Sequence, residues 1–338
     1  MAIKKKYASI DIVKYISALL VVCVHTFPFY EISPLFNTYW IQTICRLAVP
    51  FFFTSSGFFF FRKWNEDNEV NEQNLIRYEK RLLKIYLIWT LIYLPYTIYD
   101  YAHAGFSVLN IISYLRDFLL NGSYYHLWFL PALMLATALV SYGYKKLGLK
   151  NTLKACLITY IIGYFINVYA PIWEMIPGVS FVYSFFIKVF TTARNGIFFG
   201  PIFVFIGLLL SRTKRLPKKI SMIGFFVSFV VLVLEVTLYN LFGILRDVTS
   251  MYITLVPAIY FFMSWLLVMD IPYKTKYMEL RNESLLIYTS HILFAKILLN
   301  LFPTAHIVVY FVTLAFSQVF ATLVIRYKTK FPVLEQLL

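Results

Sequence analysis

Charge is what this sequence has least of. Only 14% of its 338 residues are Asp, Glu, Lys or Arg, against about a quarter in an ordinary soluble domain. A chain so poor in charge cannot cover a water-facing surface. With 60% hydrophobic residues and a mean hydropathy of +0.72, it reads as an all-α polytopic membrane protein. Acidic residues are scarcer still, 16 against 31 Lys plus Arg, which leaves a net charge of +15. Such an excess suggests nucleic acid, but the basic residues sit in the connections between apolar runs. That placement marks them as topology signals beside anionic membrane lipids and argues against nucleic acid. Cysteine is rare as well. Cys23, Cys45 and Cys156 all fall inside apolar runs at no metal-ligand spacing, and an odd number gives no disulfide framework. Packing is their expected role, and no metal site is expected. There is no Gly-rich phosphate loop, zincin motif or nucleophile elbow. No internal repeat is evident, and no connection is long enough for a soluble catalytic domain. Residues 1–338 therefore read as a single transmembrane domain with no soluble domain, and any chemistry is intramembrane.

What the sequence does have is apolar runs. Ten of them, at roughly 8–29, 37–61, 82–99, 125–143, 152–169, 195–211, 219–241, 251–269, 284–301 and 306–325, each approach the ~20 residues that cross a bilayer. The first follows Lys4, Lys5 and Lys6 but is too long for a signal peptide and lacks a small-residue cleavage site, so it reads as a retained signal anchor. With the N-terminus inside, the inner segments carry 24 Lys plus Arg and the outer loops 4, with Lys14, Arg46 and Lys296 within spans. The expectation is ten transmembrane helices with both termini cytoplasmic. The outer segments 100–124 and 170–194 are rich in aromatic residues and are expected to lie partly in the interface.

Ile10–Tyr30 organises the rest. It is apolar enough to span a bilayer, yet it carries Asp11, Lys14 and His25. An ionisable group at that depth is costly unless it is paired or faces water, so it marks a functional site by default. Lys14 and His25 are eleven residues apart. At about 100° per residue this is within roughly 20° of three turns, so they share one face, about 16 Å apart along the axis. Arg46 lies well inside the second run and needs a partner or an anionic ligand. His126 and Trp128 open the fourth span, Arg194 and Asn195 the sixth, and Ser284, Tyr288 and His291 follow one another up the ninth. Plainer readings stand beside these. Asp11 and Lys14 at i, i+3 also fit an anchoring pair, His25 a structural hydrogen bond, and Arg194 an interface anchor. Glu235 and Lys296 could pair with each other. Ser55, Ser56 and Gly57, among the phenylalanines of 51–61, would let helices approach closely.

At these residues the sequence resembles the acyltransferase-3 family of integral membrane acyltransferases. The match covers nearly the whole chain. Its most specific element is a basic residue, ten intervening positions and a His, here Lys14 to His25, where the family more often has Arg. Further blocks are Arg46 with VPFFFTSSGFF (49–59), HLWFLPAL (126–133), RNGIFFGPIFVFIG (194–207) and SLLIYTSH (284–291). Closest in flavour is the membrane domain of the vancomycin-resistance serine racemases. The pyridoxal-dependent racemase domain that follows it there is expected to be absent here. The resemblance implies an O-acyltransferase that moves an acyl group, acetyl foremost, from cytoplasmic acyl-CoA to a hydroxyl of an extracytoplasmic cell-envelope glycan, in a bacterial plasma membrane and with no bound cofactor. On that reading His25 and Arg46 are catalytic. Asp11, Lys14, His126, Trp128, Arg194, Asn195, Tyr288 and His291 bind donor or acceptor. A transporter of serine or another small amino acid is the alternative: the same cations would hold a carboxylate and Glu235 an ammonium group. The lack of inverted repeats counts mildly against it.

Overall fold

The computed structural model describes residues 6–105, 107–246 and 248–338, without the side chain of Ala104. Lys4 and Lys5 of the N-terminal charge cluster lie outside the described residues. Among the described residues every regular element is helical. They are α1 (Ala8–Thr26), α2 (Pro34–Gln42), a 3₁₀ turn (Cys45–Leu47), α3 (Ala48–Phe61), α4 (Asn68–Ala104), α5 (Val108–Leu120), α6 (Phe129–Val168) and α7 (Ala170–Met175). Then come α8 (Val179–Phe190), α9 (Gly200–Arg212), α10 (Lys218–Leu241), α11 (Leu255–Val268), α12 (Lys276–Leu301), α13 (His306–Tyr327) and α14 (Pro332–Glu335).

Each of the ten expected spans falls on helix, but the described residues hold seven helices long and apolar enough to cross a membrane. The differences have local causes. Two expected spans, 125–143 and 152–169, belong to the single run α6, which breaks at Gly148 (φ 71°, ψ 177°). Two others shorten to α9, with 13 residues, and α11, with 14. At about 1.5 Å per residue these reach only some 20 Å, short of a hydrocarbon core of about 30 Å. Polar side chains capture the backbone ahead of both. The Asn195 Oδ1 accepts from the Ile197 and Phe198 N–H groups (2.9 and 3.1 Å). The Asn167 Oδ1 accepts from the Ser250 and Met251 N–H groups (3.0 and 3.3 Å). The second expected span is interrupted as well, by the turn Thr43–Leu47 between α2 and α3.

The chain divides into two compact units, with boundaries inside α3 and α10. The first comprises 1–55, 213–236 and 254–338. At its centre α1, α12 and α13 pack against one another as a three-helix bundle, and the 3₁₀ turn and α11 also lie on α1. The Ser9 hydroxyl donates to the Leu266 carbonyl (2.7 Å) and Tyr15 to the Gln318 Oε1 (2.7 Å), so α1 is pinned to α11 and α13 near its start. The second unit comprises 56–212 and 237–253, built on α6 with α4 and α9 against it. Here Gly57 meets the expectation of close approach. A Cβ at Gly57 would lie 2.5 Å from the Val204 carbonyl oxygen, so only glycine lets the two backbones touch. The aromatic-rich segments 100–124 and 170–194 contain two amphipathic helices, α5 and α8, packed on each other.

Candidate active site

The residues singled out in the sequence fall into two groups, one in each unit. In the first unit, α1 carries His25 in its last turn. The His25 ring lies 5.2 Å, centroid to centroid, from the ring of His291 on α12, tilted by 36°. His25 is half-buried and His291 fully buried. The His291 Nδ1 lies 2.8 and 3.1 Å from the Tyr288 and Ile287 carbonyl oxygens. Both partners are acceptors, so Nδ1 carries the proton, and in the neutral ring the basic lone pair is on Nε2. Tyr288 is buried beside it, 6.4 Å between ring centroids. The structure thus joins three of the expected residues, from two sequence blocks more than 250 positions apart, at the C-terminal end of α1.

Arg46 does not sit inside a helix, as the unbroken apolar run suggested, but on the 3₁₀ turn Cys45–Leu47. That turn packs against α1, and the Arg46 Nε donates to Gln42 Oε1 (2.8 Å). Gln42 was not singled out in the sequence. A glutamine at the end of an apolar helix gives no spacing signal. Cys23, Ile41 and Cys45 bury together with Leu20, Val24, Trp40 and Tyr310 around them, which gives these two cysteines the packing role expected of them.

At the N-terminal end of α1, Asp11 is buried and accepts from the Tyr273 hydroxyl (3.1 Å). Lys14, Arg281 and Lys6 are near enough to act on its carboxylate electrostatically. Lys6 also stands over the Tyr273 ring (4.9 Å). Tyr273 and Arg281 are additions to the expected set, Tyr273 from the connection into α12 and Arg281 from the start of α12 itself. Glu235 accepts from the Thr254 N–H (3.0 Å) and from the Thr254 hydroxyl.

In the second unit, His126 and Trp128 lie on the turn before α6 rather than in the helix, which starts at Phe129. Gly122 allows this turn. Its φ is +91°, and a side chain there would strike the Trp128 backbone. His126 is buried among Tyr93, Tyr124 and Tyr125, at 4.7, 6.0 and 5.9 Å between ring centroids. The Arg194 guanidinium lies over the Trp128 ring at 4.9 Å, a cation–π contact that joins two expected blocks. Asn195 serves the turn that carries Arg194. Its Nδ2 donates to the Thr192 carbonyl (2.9 Å) while its Oδ1 holds two backbone N–H groups. Beside Trp128 and Arg194 opens a cavity of about 380 Å³ whose walls include Asp100, Tyr114, Asp117 and Tyr124. Sequence blocks did not reveal it, because its walls come from α4, α5 and the connections before α6 and α9.

Among the described residues no group of three or more His, Cys, Asp or Glu is placed to hold a metal ion. The first unit places the His25 imidazole beside a second imidazole of fixed tautomer, with a guanidinium on a turn that packs against the same helix. An imidazole and a guanidinium are groups able to serve as a base and an oxyanion stabiliser.

Residues 7–326 match the family model described as an acyltransferase domain, of the acyltransferase-3 type. Two amino-acid racemases of Enterococcus faecalis are 30% and 29% identical to the chain, over 77% and 85% of its length. A serine/alanine racemase of Enterococcus gallinarum is 31% identical over 80% of it. These matches cover 36%, 41% and 38% of the racemases, so the chain spans well under half of each. No solved structure matches it. The chain is a multi-pass membrane protein of the acyltransferase-3 family.

Proposed function

We propose that the protein is an O-acyltransferase of the bacterial plasma membrane that moves an acetyl group from cytoplasmic acyl-CoA to a hydroxyl of an extracytoplasmic cell-envelope glycan. The observation that carries this reading is the His25–His291 pair within a chain of the acyltransferase-3 family. In the reaction, His25 takes the proton of the acceptor hydroxyl as its oxygen attacks the thioester carbon. Arg46 stabilises the oxyanion. Collapse expels the CoA thiolate, which receives the proton from the His25 imidazolium. No cofactor is needed. His291 holds His25 in orientation. Lys14, with Asp11 beside it, meets the donor's phosphates. His126, Trp128, Arg194 and Tyr288 contact donor or acceptor, and Asn195 shapes the turn that presents Arg194.

The names of the racemase relatives favour one second reading, a carrier of serine or a similar amino acid. One experiment separates the two. Membranes containing the protein are given radiolabelled acetyl-CoA, and sealed vesicles are given labelled serine. The acyltransferase reading expects label in the glycan fraction and no saturable serine uptake. Uptake without transfer would replace it with the carrier.

A further inference from the structure

The second unit holds the cavity of about 380 Å³, at the small end of the roughly 300–1,000 Å³ of small-molecule sites. Its wall has two features that together specify a ligand. The first is chemical. Aromatic faces, including Tyr124, which stacks on Tyr93 at 4.9 Å and 16°, alternate with oxygen acceptors. Asp117 is held by Arg116, Asn121 and Thr191, and Tyr124 donates to Asp100 (3.3 Å). Two carboxylates, Asp100 and Asp117, are balanced by Arg194 in the wall and Arg116 beside it. A neutral site of rings and oxygen acceptors suits a neutral polyhydroxylated ring rather than a phosphate: C–H faces lie on aromatic rings and hydroxyls donate to carboxylates.

The second feature is the far side of the same wall. On α5, Tyr114 and Asp117 face the cavity, with Asn121 just beyond. About 150° round the helix, by its 3.6-residue period, Ile111, Ile112, Leu115 and Leu119 are exposed, Leu119 by 68%. α8 likewise exposes Phe181 (76%), Val182 and Phe185. The two helices are tied by the Arg116 donation to the Lys188 carbonyl (2.8 Å). α5 is polar toward the cavity and apolar outside, and α8 adds a second exposed apolar face beside it, the build of interfacial helices, which lie with their apolar face in the acyl region. A wall of this kind fits a ligand that is itself amphipathic.

We propose that this cavity binds the sugar head of a glycosylated lipid, whose chains lie along the apolar faces of α5 and α8. The binding claim stands on the cavity alone; that the bound sugar is the acyl acceptor rests on the acyltransferase reading. The test uses monoglucosyl diacylglycerol with a photoactivatable diazirine beside its glycosidic linkage, in nanodiscs containing the full chain. Adducts are mapped by mass spectrometry. The expected result is labelling concentrated in 97–128 and 191–194, displaced by unlabelled glycolipid but not by the same concentration of methyl glucoside. Asp100→Asn and Tyr114→Ala should each cut it at least fivefold. Labelling spread over the lipid-facing helices, or equal displacement by methyl glucoside, would overturn the proposal. The map of the unaltered protein decides this even where a variant fails to fold. Added acetyl-CoA gives a separate readout: site-specific labelling without any acylated glycolipid would leave the binding site standing and count against its role as acceptor site.

Discussion

Lys14 and His25 share a face of α1, about 16 Å apart by the helix rise, which is too far for both to touch one reacting carbonyl. Lys14 instead sits close to Asp11, whose carboxylate is held by Tyr273. A point charge there acts on a remote phosphate of the donor, and loss of such a contact weakens ground state and transition state alike. Lys14→Ala should therefore raise KM for acyl-CoA with kcat nearly unchanged, while Lys14→Arg keeps most activity. Initial rates against acyl-CoA concentration in reconstituted vesicles check this. A fall in kcat at constant KM would assign Lys14 to anchoring α1. At this scale the sequence was readable wherever burial of a charge is expensive, which is why Asp11, Lys14, His25 and Arg46 stood out. It was silent where a residue type serves two roles. Asn195 is as apt for a ligand as for a turn, and only the placement of both amide atoms on backbone groups shows the turn.

Helices were legible from the apolar runs, but their ends and breaks were not. Hydropathy keeps 43–47 within one apolar run, yet there the backbone turns, and the turn that carries Arg46 packs against α1. Close packing is equally invisible to hydropathy, and Gly57 is its sharpest instance. Gly57→Ala places a methyl against the Val204 carbonyl. The forced shift should cost about 1–3 kcal/mol, as overpacking does, and appear as a lowered Tm in detergent. An unchanged Tm would mean that the two helices separate without cost. A second contact joins elements through charge. The first residue of α13, His306, gives its backbone N–H to Glu31 Oε1 (3.0 Å), and the helix has no cap of its own. Burial pushes the Glu31 carboxyl up, but the N–H groups of His306 and of Glu31 itself hold it below its usual value. A carboxylate whose folded pKa is depressed contributes stability above its unfolded pKa, about 4.3, and loses it as pH falls through the lower folded value. Hydrogen exchange at the His306 amide, corrected for its intrinsic rate, should therefore be slow at pH 7 and rise below about pH 4. Glu31→Gln should exchange faster at pH 7. Equal protection in the variant would remove Glu31 as the cap.

For the whole molecule, the sequence made the membrane class and the family plain, because composition and five ordered blocks integrate over the full chain. The number of crossings was less legible, since two expected spans belong to one helical run around Gly148 and residues such as Asn195 shorten others. The basic connections remain the guide to orientation. Cysteines placed singly in 62–81 should be labelled by membrane-impermeant maleimide only after intact cells are opened; labelling from outside would reverse the topology. The central claim joins that orientation to the His25 chemistry, and one measurement reaches both. Proteoliposomes sorted so that the cytoplasmic face is outward receive radiolabelled acetyl-CoA outside, with the hydroxylated acceptor enclosed. The account predicts that labelled acceptor accumulates inside, and that His25→Ala, inserted to the same level, lowers the rate by at least about 10²-fold, as loss of a general base does. Product formed at an undiminished rate by His25→Ala, or formed only when donor and acceptor share one compartment, would contradict it.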